Sequence, residues 1–143
     1  MVGRDISTNN KELVGQINSL KINHKIFFLN QQNNLLQFYN GIDLLLLTSH
    51  SESFPNVIAE SMLCSTPVIS SNAGCSEKII NGNGFIMKNN DYQSIFKNLE
   101  KVIKTYKHKK KEWKYLKKKS RLQIQKNFSI PNMGKNYIKN WIF

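Results

Sequence analysis

The sequence predicts an α/β fold: a parallel sheet with helices on both faces, followed by a run of C-terminal helices. Three observations carry that prediction. Short apolar runs of strand length alternate with amphipathic stretches of helix length over the first 90 or so residues. The runs are apolar at successive positions, as strands buried on both faces require. Beyond Asp91 the pattern becomes wholly helical.

The opening "MVGRDIST" reads as the end of a strand entering a turn. A helix is expected from about Asn9 to Leu20, where Leu13, Val14, Ile17 and Leu20 recur at helical spacing. "KIFFLN" is rich in β formers and predicts a buried strand over about residues 25 to 29. "NNLLQFYNGI" predicts a short helix ending at Gly41, and "DLLLLTS" a second buried strand. In "PNVIAESMLC" a helix is expected with Pro55 in its first turn, where a missing N–H costs nothing. "TPVISS" is a third strand entered at Pro67, "GCSEKIIN" a single helical turn after a tight turn at Gly74, and "GFIMK" a fourth strand. Helices follow at about 91–105, 109–126 and 131–141.

With 143 residues, 40% of them hydrophobic, the chain has the material for one core. No stretch approaches the roughly 20 apolar residues that span a bilayer, and the N-terminus lacks the charged-then-apolar order of a signal peptide. A cytoplasmic location is the resulting expectation. Cys64 and Cys75 have neither metal-ligand spacing nor a disulfide framework and are read as reduced structural thiols. The net charge of +12 is concentrated: Lys97 to Arg121 holds twelve Lys or Arg against Glu100 and Glu112, so this segment carries +10 of it.

The chemistry points to "ESFPNVIAE", residues 52 to 60. Open parallel sheets bind ligands beyond the carboxyl ends of their strands, in the turns that lead to the next helix. Glu52 lies in such a turn, and the helix start near Ser53 to Asn56 offers unpaired N–H groups and a positive dipole end suited to phosphate. Glu60 lies about one and a half turns inside the same helix. Carboxylates accept hydrogen bonds from vicinal hydroxyls, so one on each side of a phosphate-binding helix end suits a sugar on each side of a diphosphate. Such a ligand is a nucleotide sugar.

The stretch "DLLLLTSHSESFPNVIAESMLCSTPVISSNAG", with "GFIMKNND" after it, resembles a segment of the retaining glycosyltransferases of the GT-B fold, family 4 among them. The resemblance extends over about residues 1 to 130. It implies half of a GT-B fold: a Rossmann-like, C-terminal donor domain spanning 1–143, cut at its N-terminal side and lacking the acceptor domain. Carried onto this sequence, it implies that Glu52 is catalytic and contacts the transferred sugar, that Glu60 holds the ribose hydroxyls, and that Ser53, Phe54 and Asn56 approach the sugar and diphosphate. Asn30 and Gln31 would pack the base.

Two positions depart from the family pattern, which has glycine where this chain has Ser53 and Ser65. Counting strands back from Glu52 places Arg4 one βα unit too late to be the family's phosphate-clamping arginine, so Arg4 reads as a surface turn residue and the clamping pair is expected to be absent.

The resemblance further implies transfer to a glycan or lipid-linked acceptor with retention of configuration, in cell-surface polysaccharide synthesis, at the cytoplasmic side and peripherally at the inner membrane face. No metal or other cofactor is implied, and the sequence has no Asp-x-Asp cluster. The missing N-terminal domain would be supplied in cis or in trans, and the isolated fragment is expected to be inactive. The lysine-rich segment, interleaved with Tyr106, Trp113 and Tyr115, supports a rival: a non-catalytic basic domain that binds nucleic acid or a membrane surface. No nucleic-acid motif accompanies the charge, so a solvated face with at most weak contact to an anionic membrane is expected, and no nucleic-acid partner.

Overall fold

The computed structural model describes residues 1–141. Within it the chain divides into two compact units, Met1–Phe38 and the remainder from Tyr39 onward.

In the first unit, α1 (Lys11–Ser19) begins where Asn10 accepts a hydrogen bond from the Leu13 N–H at 3.1 Å, which satisfies one of the otherwise unpaired amides of the first turn. Ile17 anchors its buried face. A 3-10 turn follows at Asn23–Lys25. The strand expected over 25–29 does not form. Residues 26 to 30 are instead an irregular segment tied to the chain's start: Leu29 N–H donates to Met1 O at 3.0 Å, Gly3 N–H to Asn30 O at 3.1 Å, and the N-terminal amine to Phe27 O at 2.6 Å. The side chain of Phe27 is 72% exposed, so the apolar run is not buried on both faces. Helix α2 (Leu35–Asn40) opens with Asn34 accepting from the Gln37 N–H and runs across the boundary between the units.

The second unit holds the sheet. Strands β1 (Leu45–Leu47), β2 (Val68–Ser71) and β3 (Phe85–Met87) run parallel in the order β1-β2-β3, with Leu46 opposite Ile69 and Ser70 opposite Ile86. Between them come α3 (Asn56–Leu63) and α4 (Ser76–Ile80). After them come α5 (Tyr92–His108), α6 (Lys110–Asn127) and α7 (Ile130–Trp141). Asp91 accepts from the Ser94 N–H at 2.7 Å and so fixes the start of α5.

Successive strand residues point to opposite faces, and both faces are covered. Val68, Leu45, Leu47 and Ile86 pack with Ile58 and Met62 of α3, Ile79 and Ile80 of α4 and Ile124 of α6. Ile69, Met87, Leu44 and Phe85 pack with Val102 of α5 and Trp113 of α6. The fully buried aliphatic side chains among them, Ile58, Met62, Val68, Ile69, Ile79, Ile80, Met87 and Val102, contribute about 1.5–3 kcal/mol each. Helix α6 serves both clusters, and Ser120 lies between them on α6 with its hydroxyl donating to Asn83 O at 2.7 Å. This two-sided core holds the carboxyl ends of β1 and β2 in place.

Candidate functional site

The loop after β1, residues 48 to 55, is held along its length. Asn90 Nδ2 donates to Thr48 O at 2.7 Å, the Ser71 hydroxyl donates to Ser49 O at 2.6 Å, and the Cys75 N–H donates to Ser53 O at 3.2 Å. Gly74 makes the last of these possible. Its φ is +54°, and a Cβ at this position would lie 2.0 Å from Glu52 O and 2.7 Å from Ser53 O. Glycine is therefore required twice over, by conformation and by space. The turn read from the sequence at Gly74 brings two backbones together and so fixes the loop that carries Glu52.

Helix α3 starts from this loop. Pro55 occupies the position just outside the helix, one residue earlier than the sequence suggested, and no side chain caps the first turn. The first-turn amides are thus left without a side-chain acceptor, at the positive end of the helix dipole. Asn56 is exposed at the first helical position. Phe54 lies against Phe128 with ring centroids 5.9 Å apart, an apolar contact beside the helix entrance.

Glu52 is half-buried, and no other described residue bonds its carboxylate. Glu60, also half-buried, accepts a 2.9 Å hydrogen bond at Oε2 from the hydroxyl of Tyr39, which is 3% exposed. Burial first, and then the Glu60 carboxylate, push the Tyr39 phenol well above its ordinary pKa, so it stays protonated as a donor. Burial also pushes the Cys64 thiol up, with nearby Arg121 opposing and Glu60 adding, which suits an unreactive thiol.

Of the residues singled out in the sequence, Glu52, Ser53, Phe54, Asn56 and Glu60 belong to this loop and helix. Asn30 and Gln31 belong to the first unit, both exposed, with Asn30 in a left-handed conformation at φ +52°. Ser53 has no positive φ, so the serine costs nothing in backbone conformation there. Ser65 does, at +62°, in the position where the family pattern has glycine. Arg4 is an exposed turn residue, as expected. Sequence reasoning missed Tyr39, Ser71 and Asn90, each of which acts on the site through a contact to a residue 21 or more positions away.

The basic segment forms the exposed faces of α5 and α6. An open groove of about 920 Å³ beside β3 is lined by Lys88, Lys97, Lys101 and Lys104 and shares no residue with the loop and helix that carry Glu52 and Glu60. Lys117 is the exception to the solvated pattern, half-buried on the same stripe of α6 as Trp113 and Ser120.

A parallel sheet covered by helices on both faces, with a restrained loop and a helix start beyond the carboxyl end of β1, is an open α/β unit of the kind that holds ligands at that edge. The chain belongs to the family described as glycosyl transferases group 1, which matches residues 1–121. It is 30% identical over 83 residues to the capsular polysaccharide biosynthesis glycosyltransferase CapM of Staphylococcus aureus, a match covering 57% of this chain and 22% of that protein. It is 34% identical over 64 residues to N-acetyl-alpha-D-glucosaminyl L-malate synthase of Bacillus anthracis, covering 45% of this chain and 17% of that protein.

In fold it is similar to a glycosyltransferase from Rickettsia africae ESF-5, with a TM-score of 0.85 and 22% identity over 97% of this chain and 38% of that one. It is likewise similar to Anabaena Alr3699/HepE, solved in complex with UDP, with a TM-score of 0.83 and 23% identity over 97% of this chain and 39% of that one. The matches thus span well under half the length of each relative.

Proposed function

We propose that this chain is the donor-binding part of a retaining glycosyltransferase that takes a nucleotide sugar and passes the sugar to a glycan or lipid-linked acceptor. The observation that carries this reading is the start of α3: a helix entrance without a side-chain cap, on a loop pinned by Gly74, with one carboxylate before it at Glu52 and one within it at Glu60. The uncapped amides meet the diphosphate, Glu52 accepts from hydroxyls of the sugar being transferred, and Glu60 accepts from the ribose diol. Helix dipole and backbone amides do the work that a metal does elsewhere, so no metal is required in this reading. The UDP complex of HepE supports a nucleotide ligand, and the likeness to CapM supports a polysaccharide product.

The reading is tested by titrating two variants with two ligands. Glu60→Ala weakens both bare nucleoside diphosphate and nucleotide sugar, whereas Glu52→Ala weakens only the nucleotide sugar. The loss is roughly 1.5–3 kcal/mol in each affected case, the value of hydrogen bonds to a charged group. Calorimetry with ADP, GDP and UDP and their glucose conjugates measures it. Equal losses for both ligands in both variants remove the division of roles.

A further inference from the structure

We propose that Tyr39 is a positioning residue that sets Glu60 for a ribose diol, and that it thereby makes this site select ribonucleotides over deoxyribonucleotides. The inference rests on the nucleotide-sugar reading of the site. It starts from a closed ring of contacts around one carboxylate. The Tyr39 hydroxyl donates to Glu60 Oε2 at 2.9 Å. The backbone oxygen of Tyr39 accepts from the Thr66 hydroxyl at 2.7 Å. The backbone oxygen of Thr66 accepts from the Ser61 hydroxyl at 3.1 Å, and Ser61 is the residue next to Glu60 on α3. Tyr39, Ser61 and Thr66 are 3%, 0% and 3% exposed, so the ring is shielded from water, which would otherwise compete for each bond.

The chemistry of a carboxylate explains what the ring achieves. Two oxygens offer about four acceptor sites. The phenol takes one on Oε2, and no described residue donates to Oε1. The phenol thus holds Oε2 of this half-buried carboxylate in one direction, and Oε1 is left to accept from a hydroxyl outside the protein. A free glutamate side chain loses rotamer freedom when a ligand orders it, whereas this one is already ordered, and that difference favours binding of a diol about three- to tenfold. The raised pKa of Tyr39 adds that the phenol remains a donor across the whole working range of pH.

The test compares each of ADP, GDP and UDP with its 2′,3′-dideoxy analogue by calorimetry, on the wild-type chain, Tyr39→Phe and Thr66→Val. Tyr39→Phe deletes only the hydroxyl. The expected result is that wild type prefers the ribonucleotide, that Tyr39→Phe weakens the ribonucleotide three- to tenfold while the dideoxy analogue is unmoved, and that Thr66→Val gives a smaller fall in the same direction. Should one variant fail to fold, the other carries the comparison. A loss of affinity equal for both ligands would mean a merely structural tyrosine and overturns the inference alone, as does a ribose preference that survives both substitutions. Wild-type protein that binds none of the three nucleotides overturns the nucleotide-sugar reading, and this inference with it.

Discussion

Two stretches of this chain hold polar groups by opposite means. From Thr48 to Cys75 there is no Lys or Arg, and the two acids, Glu52 and Glu60, sit in a backbone tied by bonds from Ser71, Asn90 and Cys75. From Lys97 to Arg121 the charge is +10, yet the ion pairs among the described residues are Lys104 with Glu100 and Lys109 with Glu112, both well exposed. Lys110 and Lys119 lie over the rings of Tyr106 and Tyr115 at 4.3 and 5.3 Å. Exposed pairs of this kind are worth about 0–1 kcal/mol and weaken with salt. The first stretch fixes a few groups in one geometry, which recognition of a particular ligand needs. The second presents many groups in no fixed geometry, which supports solubility and non-specific attraction. On the donor-binding reading, charge density is therefore a poor guide to the site in this molecule, and backbone restraint a good one.

The sharpest way to break the comparison is at the restraint itself. Gly74→Ala forces a Cβ to within 2.0 Å of Glu52 O at a φ of +54°. The left-handed conformation costs about 1–2 kcal/mol and the overpacking about 1–3 kcal/mol, so a total loss of roughly 2–5 kcal/mol is expected. Because Glu52 moves with the loop, nucleotide-sugar affinity falls further than stability alone predicts. Chemical denaturation and calorimetry on the same variant separate the two effects. A variant with unchanged stability would show that the loop is not clamped at Gly74.

A milder substitution tests one tie. Ser71 is buried at the end of β2, and its hydroxyl reaches Ser49 O at 2.6 Å, so Ser71→Ala leaves that carbonyl one donor short. The expected loss is about 0.5–1.5 kcal/mol of stability, the net value of an ordinary hydrogen bond, with a comparable fall in nucleotide-sugar affinity. Thermal unfolding reads the first and titration the second. Loss of stability with no change in affinity would assign Ser71 to the fold and not to the site.

These contacts also explain what the sequence could and could not reveal. The strands of the second unit were legible because Leu44 to Leu47, Val68 to Ser71 and Phe85 to Met87 are apolar or small at successive positions and both faces are covered. "KIFFL" carries the same local signal and forms no strand. A run of β formers does not reveal what lies beside it, and here the backbone meets Met1, Gly3 and Ile6 through isolated bonds rather than a ladder, with Phe27 72% exposed. The acids stood out because a helix entrance and a carboxylate are both local features. Tyr39 did not, since one tyrosine at the end of a short helix has no local mark, and its partner is 21 residues further on. Gly74 was legible as a turn, but its contact with Glu52 exists only once two βα loops are folded side by side.

The smallest effect expected comes from the basic face, and its smallness is informative. Lys111, Lys114 and Lys118 are exposed on one side of α6, at a spacing of three and four residues, and no described residue bonds their side chains. Replacing all three with Gln should leave stability within about 0.5 kcal/mol and nucleotide-sugar affinity unchanged. The change should show instead in attraction to anionic vesicles, where each lysine near the surface is worth about 1 kcal/mol at low salt. That attraction is weak enough to vanish near physiological ionic strength, where the screening length is about 8 Å. Vesicle sedimentation across a salt series, run beside the nucleotide titration, reads both. If the triple variant loses nucleotide affinity severalfold, the basic face belongs to the site and the contrast between the two stretches fails. If instead wild type holds RNA or DNA tightly at physiological salt, binds no nucleotide sugar, and loses about one unit of salt slope for each lysine removed, the charge is a nucleic-acid footprint and the donor-binding reading falls with it.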